Sequence, residues 1–113
     1  MHQLDAYLAE LAAALAATPR DPLDDIAWAL WETYRRYGTI IACGNGGSAA
    51  SASHLACDLS KWTIHEGRRR VRALALTDNV PMMTAWSNDT AYERAFVDPF
   101  MRLYRPGDTL VAI

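Results

Sequence analysis

The chain has 113 residues, of which 51% are apolar and 21% charged, a balance that fits one soluble globular domain and excludes a disordered tail. Eleven Lys and Arg against thirteen Asp and Glu leave a formal net charge of -2, so bulk charge does not suggest a nucleic-acid binder. No apolar run reaches the about 18–20 residues of a membrane span, and Asp5 and Glu10 make the N-terminus a poor signal peptide.

Residues 3–17 repeat Leu4, Leu8, Leu11 and Leu15 at helical spacing among alanines, which predicts a helix. Thr18 and Pro19 end it. Asp21 then reads as an N-cap with Pro22 at the first helical position, and residues 22–37 as a second helix. Its acids Asp24 and Asp25 and its bases Arg35 and Arg36 suit the helix dipole, and Gly38 reads as its stop. Residues 39–43 are a short β-branched run that predicts a buried strand. Gly44-Asn45-Gly46-Gly47-Ser48 follows directly, and residues 49–61 return to helix composition. A basic stretch with Arg68, Arg69, Arg70 and Arg72 precedes a second strand over 71–77, which ends on Asp78. Residues 80–87 read as a helix, Ser87-Asn88-Asp89 as a turn, and 91–104 as a helix that Pro99 kinks or restarts. Arg105-Pro106-Gly107-Asp108 is a turn signal before a third apolar strand over 109–113. Such a buried strand normally feeds a loop and a helix. Strands alternating with helices predict parallel crossovers in an α/β sheet.

A glycine loop that leaves a strand and opens a helix directs backbone N–H groups outward, where the helix dipole adds positive potential. The arrangement suits an anion, phosphate above all, and Asn45 and Ser48 add hydrogen-bonding side chains. An unliganded tight turn is the plain alternative. No lysine follows the loop, so it is not an ATP-binding P-loop. Gly44-x-Gly46-x-x-Ala49 matches the dinucleotide fingerprint, but its acid is expected about 20 residues on. Asp78 comes later than that, so no nucleotide cofactor is expected. On the following helix Ser51, His54 and Asp58 share a face. His54 and Asp58 can ligate one metal, form a proton-transfer pair, or make a simple hydrogen bond on a polar face. Cys43 and Cys57 are too few for a disulfide scaffold; they read as small buried residues of a reducing, cytoplasmic setting.

Residues 40–50, read as Ile-Ile-Ala-Cys-Gly-Asn-Gly-Gly-Ser-Ala-Ala, resemble the hallmark of the phosphoheptose isomerase branch of the sugar isomerase (SIS) domain family. His54 with Asp58, Ala75-Leu76-Thr77-Asp78, Trp86-Ser87-Asn88-Asp89 with Tyr92-Glu93, and Arg105-Pro106-Gly107-Asp108 extend the resemblance, in order, from about residue 22 to Ile113. It implies a flavodoxin-like, three-layer αβα fold with a parallel sheet. Residues 1–37 would be a helical oligomerisation segment, and residues 38–113 the N-terminal half of a SIS domain that stops after its third strand. The implied reaction interconverts a ketose phosphate and an aldose phosphate, sedoheptulose 7-phosphate being the family's substrate. The resemblance makes Asp58 the catalytic base. It gives substrate contacts to Asn45, Gly46, Gly47, Ser48, Ser51, Asp78, Asn88 and Asp89, and a zinc ion to His54 and Asp58. Asp58 stands where the family has glutamate, Ser51 where it has aspartate, and Trp62 where it has arginine.

Three functions follow as expectations. The chain is an isomerase half that acts with a complementary C-terminal half; or it is a non-catalytic module binding sugar phosphates or a protein; or it is a structural oligomer built on residues 3–17, Trp28 and Trp31. The expected partners are a phosphorylated sugar and further copies of the chain, in a dimer or tetramer, with neither nucleic acid nor membrane involved.

Overall fold

The computed structural model describes residues 2–113. Helices α1 (Gln3–Ala17) and α2 (Asp21–Arg35) precede strand β1 (Ile40–Cys43) and helix α3 (Gly47–Lys61). Strand β2 (Ala73–Ala75), helices α4 (Val80–Asp89) and α5 (Arg94–Leu103) and strand β3 (Thr109–Ala112) complete the chain. The sheet order is β2-β1-β3, and both pairings are parallel. β1 is the central strand, and its Ile40, Ile41, Ala42 and Cys43 are all buried.

Alternation along the strands divides the core into two layers. Ala42 and Ala75 face α3 and pack on its Ala52 and Ala56. Four alanines let the helix come close to the sheet. Ile41, Cys43 and Leu76 face the other way, where Phe96 and Phe100 of α5 cover them. Helices on both faces of a parallel sheet make the expected three-layer α/β fold. Among the described residues no helix is long and apolar enough to cross a membrane.

The structure corrects several boundaries. α2 starts at Asp21, which contributes no side-chain cap. Gly38 is not its left-handed stop: Tyr37 takes that conformation, with φ 63°. Gly38 is required instead because a Cβ there would run into the Gly107 carbonyl. β2 is shorter than expected, because the chain turns into a single 3₁₀ turn over Leu76–Asp78. Ser87, Asn88 and Asp89 are the last turn of α4 rather than a separate turn. Pro99 lies inside α5, on its buried face. β3, an edge strand, is half-buried on one face and exposed on the other, with Leu110 44% exposed. Cys57 is exposed, not buried.

Two polar clasps hold the amino-terminal ends of the strands. The Thr33 hydroxyl meets that of Thr109 at 2.5 Å, tying α2 to β3. Asp108 accepts from the amides of Thr39 at 2.7 Å and Arg105 at 2.8 Å. A third clasp is reciprocal: the Tyr34 hydroxyl donates to the Arg69 carbonyl, and the Arg69 guanidinium donates to the Tyr34 carbonyl. The same guanidinium stacks on the rings of Tyr34 and Tyr37. Most of the basic stretch is otherwise solvated. The radius of gyration is 17.2 Å, against about 13 Å for a compact domain of this length. α1 accounts for much of the excess, since Leu4, Leu8, Leu11 and Leu15 are all exposed.

Candidate functional site

The glycine loop leaves the carboxyl end of the central strand and opens α3. Each glycine there has its own reason. A Cβ on Gly44 would lie 2.7 Å from the Ser48 carbonyl group, so the close approach of strand and helix excludes any side chain. Gly46 has φ 57°, a conformation that L-residues avoid. A Cβ on Gly46 or Gly47 would meet nothing within 4 Å. These two glycines therefore leave the mouth of the loop open. Among the described residues no backbone carbonyl accepts from the Gly46 or Gly47 amide, while Ser48 N–H donates to the Asn45 carbonyl at 3.0 Å. With the positive end of the 15-residue α3 behind them, these amides form a donor cradle for an anion.

Two contacts at this loop escape sequence reasoning. The Tyr92 hydroxyl, just before α5, donates to the Asn45 side-chain oxygen. That leaves the Asn45 amide nitrogen as a free donor. On α3 the Ser53 hydroxyl donates to Asp78 Oδ1 at 2.5 Å and lies 3.1 Å from the Thr77 hydroxyl. Both pairs are far apart in sequence, so no local spacing announces them.

The remaining candidates divide. Ser51 donates back to the Gly47 carbonyl at 3.2 Å, within its own helix. Asn88 and Asp89 hydrogen-bond each other at 3.1 Å and make no hydrogen bond to the loop. His54 Nε2 lies 3.4 Å from Asp58 Oδ2, with the two side chains 77% and 46% exposed. At about 100° per residue, this pair lies on the outer face of α3, turned away from Ala52 and Ala56 and from Ser53. The cradle and Asp78 thus flank the sheet end, and the His–Asp pair faces solvent beside them.

A zinc site wants three or four donors. His54 and Asp58 offer two, and among the described residues no cluster of three His, Cys, Asp or Glu could hold a metal ion. The residues present do not close a zinc site by themselves. Cys43 is no nucleophile: burial pushes its thiol pKa up, which keeps it protonated.

A parallel sheet with an open glycine loop at the carboxyl end of its central strand defines an α/β domain whose candidate site lies at the strand ends. The SIS domain family matches residues 5–113, and the chain belongs to that family. The phosphoheptose isomerase of Paramagnetospirillum magneticum is 39% identical over 113 residues, covering 97% of this chain and 58% of that protein. The lincomycin biosynthesis protein LmbN of Streptomyces lincolnensis is 45% identical over 83 residues, covering 74% of this chain and 30% of that protein. The solved phosphoheptose isomerase GmhA from Neisseria gonorrhoeae superposes with a TM-score of 0.86 at 31% identity, covering 97% of this chain and 58% of that one. The chain spans about half the length, or less, of the curated relatives it matches.

Proposed function

We propose that this chain forms the glycine-loop half of a sugar-phosphate isomerase of the phosphoheptose isomerase type. The reaction is conversion of sedoheptulose 7-phosphate to a heptose 7-phosphate in the cytoplasm. The observation that carries the reading is the open cradle of the Gly46 and Gly47 amides, with the Ser48 side chain beside them, at the head of a helix whose outer face bears His54 and Asp58. Asn45 and Ser48 bind substrate oxygens beside the free amides. Asp58 takes the proton from the hydroxyl-bearing carbon next to the carbonyl and returns it to the former carbonyl carbon. The proton of that neighbouring hydroxyl passes to the former carbonyl oxygen, through an acid that the covering body or water supplies, so that ketose and aldose balance through the enediol. His54, whose Nε2 lies 3.4 Å from Asp58 Oδ2, orients that carboxylate. A zinc ion on this pair would need further donors from outside residues 2–113.

The outward direction of His54 and Asp58 supports a second body at the site. Carbon-acid chemistry needs a dry, enclosed pocket, and this pair is exposed. A complementary C-terminal half or another copy of the chain covers it in this reading. The four exposed leucines of α1 support a homo-oligomer, dimer or tetramer. So does a groove of about 620 Å³ at the far end of the sheet, lined by Leu30, Trp31, Leu59 and Val71 and edged by Arg68 and Arg69. Acidic α1, with Asp5 and Glu10, complements that basic edge.

Two experiments test this. Ser48→Ala weakens sugar-phosphate binding by about tenfold, the worth of a hydrogen bond to a charged group; an unchanged dissociation constant by calorimetry refutes the placement of the ligand. Leu8→Glu with Leu11→Glu converts the assembly to monomers in light scattering; an unchanged mass removes α1 from the interface.

The exposure of Asp58, and its being an aspartate where the family has glutamate, favour a second reading as a non-catalytic sugar-phosphate sensor. Binding without turnover by the assembled protein separates that reading from the first.

A further inference from the structure

We propose that Ser53 is a positioning residue that aims the Asp78 carboxylate at the hydroxyl groups of the bound sugar. The inference rests on the sugar-phosphate reading above. Ser53 lies on α3 one turn beyond the cradle, on the flank that faces β2. Its hydroxyl carries one proton, and an ionised carboxylate can only accept. The 2.5 Å contact to Asp78 Oδ1 therefore uses that proton. The Thr77 hydroxyl has one proton and two acceptors in reach, Ser53 Oγ at 3.1 Å and the Ala49 carbonyl at 3.5 Å, and the shorter contact assigns that proton to Ser53. Thr77 is buried, and Ala49, whose carbonyl lies 3.5 Å from the Thr77 oxygen, belongs to the first turn of α3. The chain Thr77–Ser53–Asp78 is thus directional and anchored in the core.

Its outcome is a carboxylate with one oxygen tied inward. Among the described residues Asp78 Oδ2 takes part in no hydrogen bond or ion pair, and Asp78 is exposed. A carboxylate repels a phosphate and accepts from hydroxyls. Beside a donor-only cradle it sets the polarity of the ligand: phosphate on the amides, polyol toward Asp78. Without Ser53 the carboxylate is free to rotate, and the ligand must bear the cost of ordering it. None of this is legible from the loop sequence, because Ser53 lies outside it.

The test compares two probes, sedoheptulose 7-phosphate and inorganic phosphate, on the whole protein by calorimetry. Ser53→Ala keeps helix propensity and removes only the hydroxyl. The expected result is a dissociation constant for the sugar phosphate raised about tenfold, with that for inorganic phosphate unchanged. Ser53→Thr, which keeps a hydroxyl, restores sugar-phosphate affinity. Equal loss for both probes overturns the inference, since Ser53 would then serve the fold of the loop. No loss for either overturns it too. If the unaltered protein binds inorganic phosphate but gains nothing from the sugar, or binds neither probe, the sugar-phosphate reading itself fails. That result is distinct from equal behaviour of the Ser53→Ala variant and an unaltered protein that does bind the sugar phosphate.

Discussion

Replacing Asp58 by asparagine is expected to lower isomerisation by the assembled protein by about 10²–10⁴-fold, the usual contribution of a general base. The substitution is isosteric, so binding of the sugar phosphate at the cradle survives and the loss falls on kcat rather than KM. An amide cannot take the proton from the carbon beside the carbonyl. The fold tolerates the change, because the Asp58 side chain is 46% exposed and its neighbour His54, 3.4 Å away, lies on the same helix face. Asp58→Glu is the informative partner variant. One added methylene moves the carboxylate outward, and a base acts only within about 2.6–3.2 Å of its proton. A glutamate that keeps or raises kcat fits the family arrangement and shows that the pocket accepts the longer side chain. Wild-type kcat in Asp58→Asn would remove Asp58 from the chemistry and put the base on another residue; only binding without turnover by the unaltered protein would leave the sensor reading.

The order of elements and the cradle are legible in this sequence because both rest on local signals. α1 occupies the residues that its leucine spacing and alanines assign. β1 and α3 follow from a β-branched run and from glycines without a spacer. What is illegible depends on contacts across the fold. Gly38 looks like a helix stop, and its true reason is the backbone of Gly107, brought near by strand pairing. Tyr37 holds the left-handed position while its ring lies against Arg69. The local pattern of Asn88 and Asp89 suggests a turn, but α4 runs on through them. Tyr92 carries no local sign of a role at the loop, yet it fixes the side chain of Asn45 from 47 positions away. His54 and Asp58 are correctly paired by spacing. Only the packing of Ala52 and Ala56 reveals that this pair turns outward.

Gly44→Ala and Gly47→Ala should fail for different reasons, although the residues lie three positions apart. At Gly44 an added methyl would sit 2.7 Å from the carbonyl carbon and oxygen of Ser48 and 2.8 Å from its Cβ. Two of those atoms are backbone in the first turn of α3, so no rotamer change relieves the overlap. Either the loop opens or α3 lifts from Ala42 and Ala75. The expected cost is about 3 kcal/mol, at the upper end for overpacking, or roughly 10–20 °C in Tm. Anion binding goes with it, since the amides lose their alignment. At Gly47 the methyl meets no protein atom and the residue is helical. Alanine there leaves the fold intact and, by restricting the unfolded chain, stabilises it by about 0.4–1 kcal/mol. The methyl instead occupies the mouth of the cradle, where the ligand sits. Thermal melts and phosphate titrations of the two variants separate the cases. Gly44→Ala lowers both stability and affinity; Gly47→Ala lowers affinity alone. If Gly47→Ala bound phosphate as tightly as the parent chain, the open space above the loop would not be the anion's seat, and Ser48 would have to hold it from the side.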